Sequence, residues 1–341
     1  MKHLLDLYPA VADRIVPPVL IVLGPPWPVT QLAQALGPVD ITCLQFDVFA
    51  AGRLRVKLAQ ENVTAEVVVA ADVWDAPRKY RTVLYPAAAR SDKELKLDVI
   101  EQSFHVLEDG GRFIALSEYE KDVQFARWMK RMYGKCGESP KSKNGMAFWS
   151  EKHGEKPRNR HTVTFHAKVG DGPSMSFQSW PGTFGYGRFD HGSRAMLEVA
   201  DLRPGDHVLD MGCGNGAVGC LASQRTPGGK VTFIDSNARA VALTDVNAKA
   251  NGLTDYELVT SGSLGGVAPA SADVLLANPP YYANSEVARL FIQQGRELLK
   301  PGGRFYLTTR MPVQTIPEVV ETFGDAETVE NRGYTILSAR A

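Results

Sequence analysis

The sequence predicts an α/β fold made of two doubly wound domains. Its 341 residues exceed the usual size of one globular core, which favours two domains. Apolar strand-like runs alternate with helical stretches in both halves, a pattern typical of parallel sheets covered by helices. A short phrase also occurs once in each half, which indicates that one structural unit is present twice.

The repeated phrase is Leu107-Glu-Asp-Gly-Gly-Arg-Phe113, which returns as Leu299-Lys-Pro-Gly-Gly-Arg-Phe305. Each copy follows a helical pattern and precedes an apolar run, so both predict a helix, a glycine turn and a strand. Further upstream, Val19–Gly24 and His207–Gly212 each predict a buried strand that enters a turn. These matches favour a gene duplication.

The two halves are expected to meet in the basic segment Ser150–Arg160, whose Gly, Pro and charged residues are typical of an exposed connection. This boundary places the domains at residues 1–152 and 161–341. The offset of 188 residues that relates the halves also pairs Asp47 with Asp235, and each acid follows a strand-like run. Open α/β sheets bind their ligands at such strand ends.

Composition excludes several classes of protein. Apolar residues make up 44% and charged residues 22%, as in folded rather than disordered chains. No apolar run approaches the roughly 20 residues of a membrane helix, and no secretory signal pattern begins the sequence, so we expect a cytoplasmic protein without membrane association. The four cysteines form no Cys-x-x-Cys pair, so we expect free thiols and no metal site. A monomer is expected.

A glycine-rich loop follows the first strand of the second half. In His207-Val-Leu-Asp-Met-Gly-Cys-Gly-Asn-Gly216, an apolar strand ends near Asp210 and enters a loop with glycine at every other position. Glycines let a ligand lie against the backbone, although close packing of a helix on a strand also demands them. Asp235 ends the next strand, where an acid binds ribose hydroxyls in nucleotide-binding βαβ units.

This loop resembles the cofactor motif of class I S-adenosylmethionine-dependent methyltransferases, which are Rossmann-like, and departs from the dinucleotide pattern Gly-x-Gly-x-x-Gly. The resemblance implies that S-adenosyl-L-methionine is the cofactor. Ser263 stands where this family often offers an acid or an amide to the adenine. The cofactor contacts implied in this region are Asp210, Gly212, Cys213, Gly214, Asn215, Gly216, Asp235, Ser236 and Ser263.

A second motif, Asn-Pro-Pro-Tyr, ends the apolar strand that begins at Ala272. The lone pair of an exocyclic amine is delocalised into its ring, so the nitrogen must be held and aimed. The Asn278 amide oxygen and the Pro279 carbonyl can accept its two hydrogens, while Tyr281 offers a flat face to the base. We predict these three residues to be catalytic, and the remaining motif residue Pro280 and the next residue Tyr282 to contact substrate. A simple turn is the alternative interpretation of Asn-Pro-Pro.

Asn-Pro-Pro-Tyr resembles the motif of enzymes that methylate exocyclic amines of adenine or guanine, or the glutamine side chain of release factors. The tandem architecture resembles more narrowly the ribosomal RNA guanine-N2 methyltransferases of the small-subunit and large-subunit types. That resemblance implies ribosomal RNA or a ribosomal subunit as the partner. Glutamine methylation and a non-catalytic RNA-binding or assembly module remain the alternatives.

The segment Trp180–Ser193 looks like the stretch that precedes the cofactor loop in that family. The resemblance implies substrate contact from Phe184 and cofactor contact from Asp190 and Gly192. Ordinary turns use the same residue types, so a purely structural role is the alternative.

The first half lacks both motifs. Gly24-Pro-Pro-Trp-Pro28 replaces the glycine loop, and Tyr85-Pro-Ala-Ala88 stands in place of Asn-Pro-Pro-Tyr. Bulky side chains and prolines block close approach of a ligand to the backbone. We predict that this copy is degenerate, binds no cofactor and has a structural or RNA-binding role.

A basic segment extends from Lys121 to Arg160. It contains eleven Lys or Arg against four acids, whereas the whole chain has a formal net charge of zero. In one interpretation its cations bind RNA phosphates and its aromatics stack on unpaired bases. In the other, the aromatics of a helix from Asp122 to Tyr133 face the core. The aromatic residues are Phe125, Trp128, Tyr133, Phe148 and Trp149.

Overall fold

The computed structural model describes residues 4–88, 92–263, 265–279 and 284–341, with the side chains of residues 284 and 285 excepted. The chain divides into two compact units, Met1–His161 and Thr162–Ala341. Each unit contains a seven-stranded sheet with helices packed against it, so the predicted α/β fold with two Rossmann-like domains is confirmed. In the part of the chain that is described, no helix has both the length and the apolar character to cross a membrane.

The first unit alternates strands and helices. Short 3-10 helices cover Leu4–Ala10, Ala12–Arg14 and Val73–Asp75. The strands are β1 (Val19–Val22), β2 (Ile41–Gln45), β3 (Glu66–Val69), β4 (Tyr80–Ala87), β5 (Leu107–Ser117), β6 (Gly137–Glu138) and β7 (Met146–Glu151). The helices are α1 (Pro26–Leu36), α2 (Val48–Gln60), α3 (Lys93–Val106) and α4 (Val123–Tyr133).

The second unit repeats this plan after a two-stranded hairpin. Its strands are β8 (Val163–Ala167), β9 (Met175–Ser179), β10 (Val208–Met211), β11 (Val231–Asp235), β12 (Tyr256–Thr260), β13 (Ala272–Ala277), β14 (Leu299–Thr309), β15 (Glu327–Asn331) and β16 (Tyr334–Arg340). Its helices are α5 (His191–Val199), α6 (Ala217–Ser223), α7 (Ala238–Ala250), α8 (Asn284–Leu298) and α9 (Pro312–Phe323).

The two large sheets share one strand order, β3-β2-β1-β4-β5-β7-β6 in the first unit and β12-β11-β10-β13-β14-β16-β15 in the second. The first five strands of each order are parallel. The last two strands of each order pair antiparallel, so each predicted parallel sheet has an antiparallel edge. Only two residues, Arg332 and Gly333, join β15 to β16, and both have positive φ, as a tight hairpin turn requires.

The repeated glycine phrase has the same structure in both units. The strands β5 and β14 begin directly at Leu107 and Leu299, so the predicted glycine turn lies within the strand. The pairing of β5 with β4 steps from Leu107 to Arg112 at this point, which marks a bulge. The extra residues are accommodated there because Gly110 adopts a φ of 76°.

The aromatic side chains of the basic segment belong mainly to the core of the first unit. Phe125 and Phe148 are fully buried and stack with ring centroids 5.8 Å apart. Trp128 and Tyr133 are also buried, and Trp149 is half-buried. The interpretation in which this set of aromatics stacks on RNA bases is therefore wrong, because burial in the core removes them from solvent.

The predicted connection is exposed at residues 153–159, and the residues on either side of that stretch are fastened to the first unit. Ser150 and Glu151 belong to β7, and the buried Lys152 donates its Nζ to the Leu107 carbonyl oxygen at 3.1 Å. Arg160 pairs with the buried Asp72, and His161 lies 2.9 Å from Glu101. This hydrogen bond to Glu101 raises the pKa of His161. The first compact unit runs through His161.

Candidate active site

Three adjacent parallel strands bring the predicted site residues to one edge of the second sheet. Met211 at the end of β10 pairs with Ala277 at the end of β13 and with Ile234 of β11. The residues that come next on β10 and β13, Gly212 and Asn278, are therefore neighbours. Loops at the carboxyl edge of a parallel sheet are where this class of fold binds ligands.

The glycine loop connects β10 to α6 through backbone conformations that favour glycine. Gly212, Gly214 and Gly216 have φ values of 73°, 57° and 75°. Gly216 precedes the first residue of α6 and is the most constrained of the three, because a Cβ there would lie 2.7 Å from a methyl carbon of Thr244. Gly219 serves packing, because a Cβ at this position would lie 2.3 Å from the Phe233 ring.

Asp210 is a buried acid beneath this loop. Its Oδ2 accepts a hydrogen bond from the Gly219 backbone N–H at 2.8 Å, which fastens the first turn of α6 to β10. Burial raises the pKa of Asp210 to about 7, and the negative charge of Asp235 adds to the rise, while the Gly219 hydrogen bond opposes it. A cation placed against Asp210 would favour its ionised form.

Asp235 lies at the end of β11 and holds the glycine loop in place. Its Oδ2 accepts from the Gly214 N–H at 2.9 Å, and its Oδ1 accepts from the Asn237 N–H at 2.8 Å. Each carboxylate oxygen has two lone pairs, so a ribose hydroxyl could be accepted in addition to these backbone donors. The same side chain can therefore order the loop and bind a sugar.

Asn278 is held by two side chains from the start of α5. Its Nδ2 donates to Asp190 Oδ1 at 2.7 Å and to Ser193 Oγ at 2.8 Å. Asp190 is also the N-cap of α5, since its Oδ1 accepts from the Ser193 N–H at 3.0 Å. Sequence reasoning placed Asp190 among the cofactor ligands, whereas the structure places it against the predicted catalytic amide.

A cleft of about 400 Å³, including space open to solvent, lies between the glycine loop and the segment that precedes α5. Several predicted residues line it together: Phe184, Asp190, Asp210, Gly212, Cys213, Asn215 and Asn278. Arg188, Ser193 and Met196 also line it, and the sequence had not drawn attention to them.

Of the other predicted residues, Gly192 and Ser263 lie away from the lining of this cleft. Gly192 is buried in α5, where its carbonyl oxygen accepts from the Thr308 hydroxyl at 3.3 Å. The side chain of Cys213 is buried with its Sγ 3.4 Å from the Thr244 hydroxyl, and burial raises its pKa well above the usual range. Ser263 is exposed after β12. Pro280, Tyr281 and Tyr282 lie outside the described residues, so their predicted roles stay predictions.

Polar residues of α7 fasten the segment before α5 over the site, which the sequence did not predict. The fully buried Arg239 donates to the Pro181 carbonyl oxygen at 2.7 Å. Asn247 donates to the backbone oxygens of Gln178 at 2.9 Å and Asn215 at 2.8 Å. A polar residue on a helix usually indicates a solvated face, so the sequence alone gave no reason to expect these contacts.

The second unit can now be compared with known proteins. Residues 174–338 match the family model of the methyltransferase small domain. The matched stretch lies within the second unit, which is therefore similar to a methyltransferase small domain. Within the described residues, no group of three or more His, Cys, Asp or Glu side chains is arranged to hold a metal ion.

Two proteins similar to this chain are named ribosomal RNA small subunit methyltransferase C. The one from Pseudomonas entomophila (strain L48) is 33% identical over 189 residues, which are 54% of this chain and 56% of that protein. The one from Pseudomonas aeruginosa (strain UCBPP-PA14) is 28% identical over 68% of this chain and 71% of that protein. The chain therefore spans little more than half of the first relative's length.

A solved structure resembles both units. The T. thermophilus 16S rRNA N2 G1207 methyltransferase, solved in complex with AdoMet and guanosine, matches 98% of this chain and 91% of its own. The TM-score is 0.75 at 22% sequence identity. This likeness establishes the fold of the tandem units.

Proposed function

We propose that this chain transfers a methyl group from S-adenosyl-L-methionine to the exocyclic N2 amine of a guanine in ribosomal RNA. The observation that supports the proposal most directly is the Asn278 amide, which lies beside the glycine loop with its nitrogen bound to Asp190 and Ser193. The names of the two Pseudomonas relatives and of the T. thermophilus structure agree with it.

The residues of the glycine loop fit this cofactor. Gly212 lines the cleft and has a φ of 73°, a conformation that glycine adopts readily. The buried Asp210 lines the same cleft and suits the cationic amine of the methionine part. Asp235 suits the ribose hydroxyls because its carboxylate oxygens have lone pairs beyond those that accept from the backbone. When bound, S-adenosyl-L-methionine supplies an activated methyl group on a positively charged sulfur.

The residues after β13 would position the amine. The Asn278 Oδ1 and the Pro279 carbonyl oxygen can each accept one of the two N–H groups, which turns the nitrogen lone pair towards the methyl group. The nitrogen gains a bond to carbon and loses a proton to water, while the carbon–sulfur bond breaks. The two acceptors stabilise the positive charge that develops on the amine, so no strong general base is required.

RNA binding by the first unit forms the second part of the proposal. Arg127, Lys130 and Lys135 are exposed around the end of α4, whereas Arg131 pairs with Glu101 at 2.8 Å. Exposed cations of this kind can neutralise RNA phosphates, and binding then weakens with salt. The buried aromatics would contribute by supporting α4 rather than by stacking on bases.

Transfer of labelled methyl groups tests the reaction. Incubation with ribosomal subunits or naked ribosomal RNA should label a guanine in the wild-type reaction, and Asn278→Ala should abolish labelling while S-adenosylmethionine still binds. Label that appears in a protein instead of RNA would point to glutamine methylation and overturn the proposal. Loss of cofactor binding in Asn278→Ala, with normal turnover of bound cofactor, would contradict the role of the amide.

A matched pair of lysines tests the RNA surface. Lys130 and Lys57 each lie in the last turn of a helix of the first unit, but Lys57 pairs with Glu61 at 2.6 Å. Lys130→Ser should weaken RNA binding and reduce the salt dependence of log Kd by about 0.7 if it removes one contact to a single-stranded phosphate. Lys57→Ser should leave both unchanged. Equal effects of the two variants would contradict a specific surface at α4.

A further inference from the structure

We infer that Asp190, assisted by Ser193, is a positioning residue that holds the Asn278 amide in the single orientation that can accept hydrogen bonds from the substrate amine. This inference rests on the proposed function of the site. It gives Asp190 a role different from the cofactor contact that the sequence implied.

Both N–H groups of the Asn278 side-chain amide have hydrogen-bond acceptors. The Asn278 Nδ2 lies 2.7 Å from Asp190 Oδ1 and 2.8 Å from Ser193 Oγ. An amide nitrogen has only two hydrogens, so these two contacts use its whole donor capacity. Both hydrogens of this nitrogen are therefore bound by residues at the start of α5.

These acceptors also decide which end of the amide faces which way. The two ends of an asparagine amide have nearly the same shape, and only their hydrogen-bond partners distinguish them. An ionised carboxylate accepts hydrogen bonds and cannot donate them, so Asp190 can be satisfied only by the nitrogen. The planar amide then directs its Oδ1 away from Asp190. An amine substrate, which presents N–H donors, requires that orientation.

The helix α5 gives Asp190 a fixed position. The same Oδ1 accepts from the Ser193 N–H at 3.0 Å, so the helix N-terminus and the Asn278 amide share one oxygen. Ala195, Met196 and Leu197 of this helix are buried in the core. A functional group supported by a packed helix keeps its geometry better than one supported by a loop.

Asp190 also changes the charge distribution of the amide. A charged acceptor at the N–H end polarises the amide towards its oxygen, because hydrogen bonds in a chain reinforce one another at low dielectric. The partial negative charge on the Asn278 oxygen rises as a result. That oxygen then stabilises the positive charge that develops on the amine during methyl transfer.

The test compares two N-cap aspartates of the same chain. Asp47 caps α2 by accepting from the Ala50 N–H at 2.7 Å, in the same spacing by which Asp190 caps α5. Asp190→Ala should lower the single-turnover rate about 10–100-fold, the range seen when a residue that orients a metal ligand is removed. Its Kd for S-adenosylmethionine should stay unchanged. Asp47→Ala should lose a helix cap with no change of rate.

A reciprocal exchange adds a rescue. Asn278→Asp places two carboxylates against each other, and Asp190→Asn in the same chain restores a donor opposite an acceptor. The double variant should therefore be faster than Asn278→Asp alone. An Asp190→Ala enzyme that binds cofactor poorly but turns over normally at saturation would overturn the inference in favour of a cofactor ligand. If neither Asp190→Ala nor Asp47→Ala changed the rate, the inference would be wrong and Asp190 would be only a helix cap.

A spectroscopic measurement separates this inference from the proposed reaction. In the wild-type protein the two Nδ2 hydrogens of Asn278 should exchange slowly with water in NMR spectra, and Asp190→Ala should make that exchange fast. This readout needs no substrate. Fast exchange in the wild type would overturn the positioning role, whereas slow exchange without any methylation of RNA would instead count against the proposed substrate.

Discussion

Replacement of Gly216 by alanine tests how the backbone of the cofactor loop is constrained. Gly216 has a φ of 75°, and an added Cβ would lie 2.7 Å from the Thr244 Cγ2. The left-handed conformation costs an alanine about 1–2 kcal/mol, and crowding in a packed core costs about 1–3 kcal/mol. Together they predict a loss of about 2–5 kcal/mol in the free energy of unfolding of the second unit.

Two other glycines of the same unit separate the contributions. Gly205 has a φ of 83° with no atom within 4 Å of an added Cβ, so Gly205→Ala should cost only the conformational part. Gly219 lies in α6, and a Cβ there would lie 2.3 Å from Phe233. Gly219→Ala should therefore lose stability through crowding but gain about 1 kcal/mol in the free energy of unfolding from higher helix propensity.

Hydrogen exchange of β10 and β11 amides measures these losses, because it reports the opening of the second unit without interference from the first. We expect Gly216→Ala to be the least stable of the three variants. Calorimetry should also show weaker cofactor binding for Gly216→Ala. Gly205→Ala, the other variant at a position with positive φ, should bind the cofactor normally. A Gly216→Ala protein as stable as Gly205→Ala would refute the reasoning, because Thr244 would then not restrict the loop.

Three more predictions follow from buried or hydrogen-bonded side chains. Asp235→Ala should weaken S-adenosylmethionine binding by about 1–3 kcal/mol in calorimetry through loss of a charged acceptor, and an unchanged Kd would contradict its assignment to the ribose. Because burial raises the pKa of Asp210 from 3.8 to about 7, the folded state binds this proton more tightly than the unfolded chain does, so stability should fall as pH rises through that interval. Asp210→Asn should remove this part of the pH dependence in exchange experiments, and an identical slope in both proteins would disprove the assignment. Phe125→Ala should destabilise the first unit by about 3–5 kcal/mol in denaturant unfolding, whereas weakened RNA binding at full stability would show that the ring faces RNA.

Much of the second unit followed from short-range patterns. The strand that ends at Met211 and the glycine loop after it were both predicted, because apolar runs and glycine spacing are local properties. Asn278 lies beside Gly212 because parallel strands align their carboxyl ends. Local pattern and topology together bring the predicted residues to one edge of the sheet.

Side-chain contacts between residues far apart in the sequence could not be predicted from the sequence. Asp190 and Asn278 are 88 residues apart, and no local pattern indicates that an N-cap also binds an amide. The burial of Arg239 could not be predicted either, because burial of a charge depends on partners that only the tertiary structure supplies. The aromatics of α4 were ambiguous for the same reason, since periodicity alone did not distinguish a core face from a binding face.

The first unit has a proline in each of the two segments that correspond to the motifs of the second unit. Pro86 lies where it would touch a Cβ added at Gly24, at 2.9 Å, and Pro26 begins α1. If this copy is degenerate, as predicted, replacement of either proline alone would leave the other in place. Restoring a flexible glycine loop in this unit would therefore require at least two substitutions.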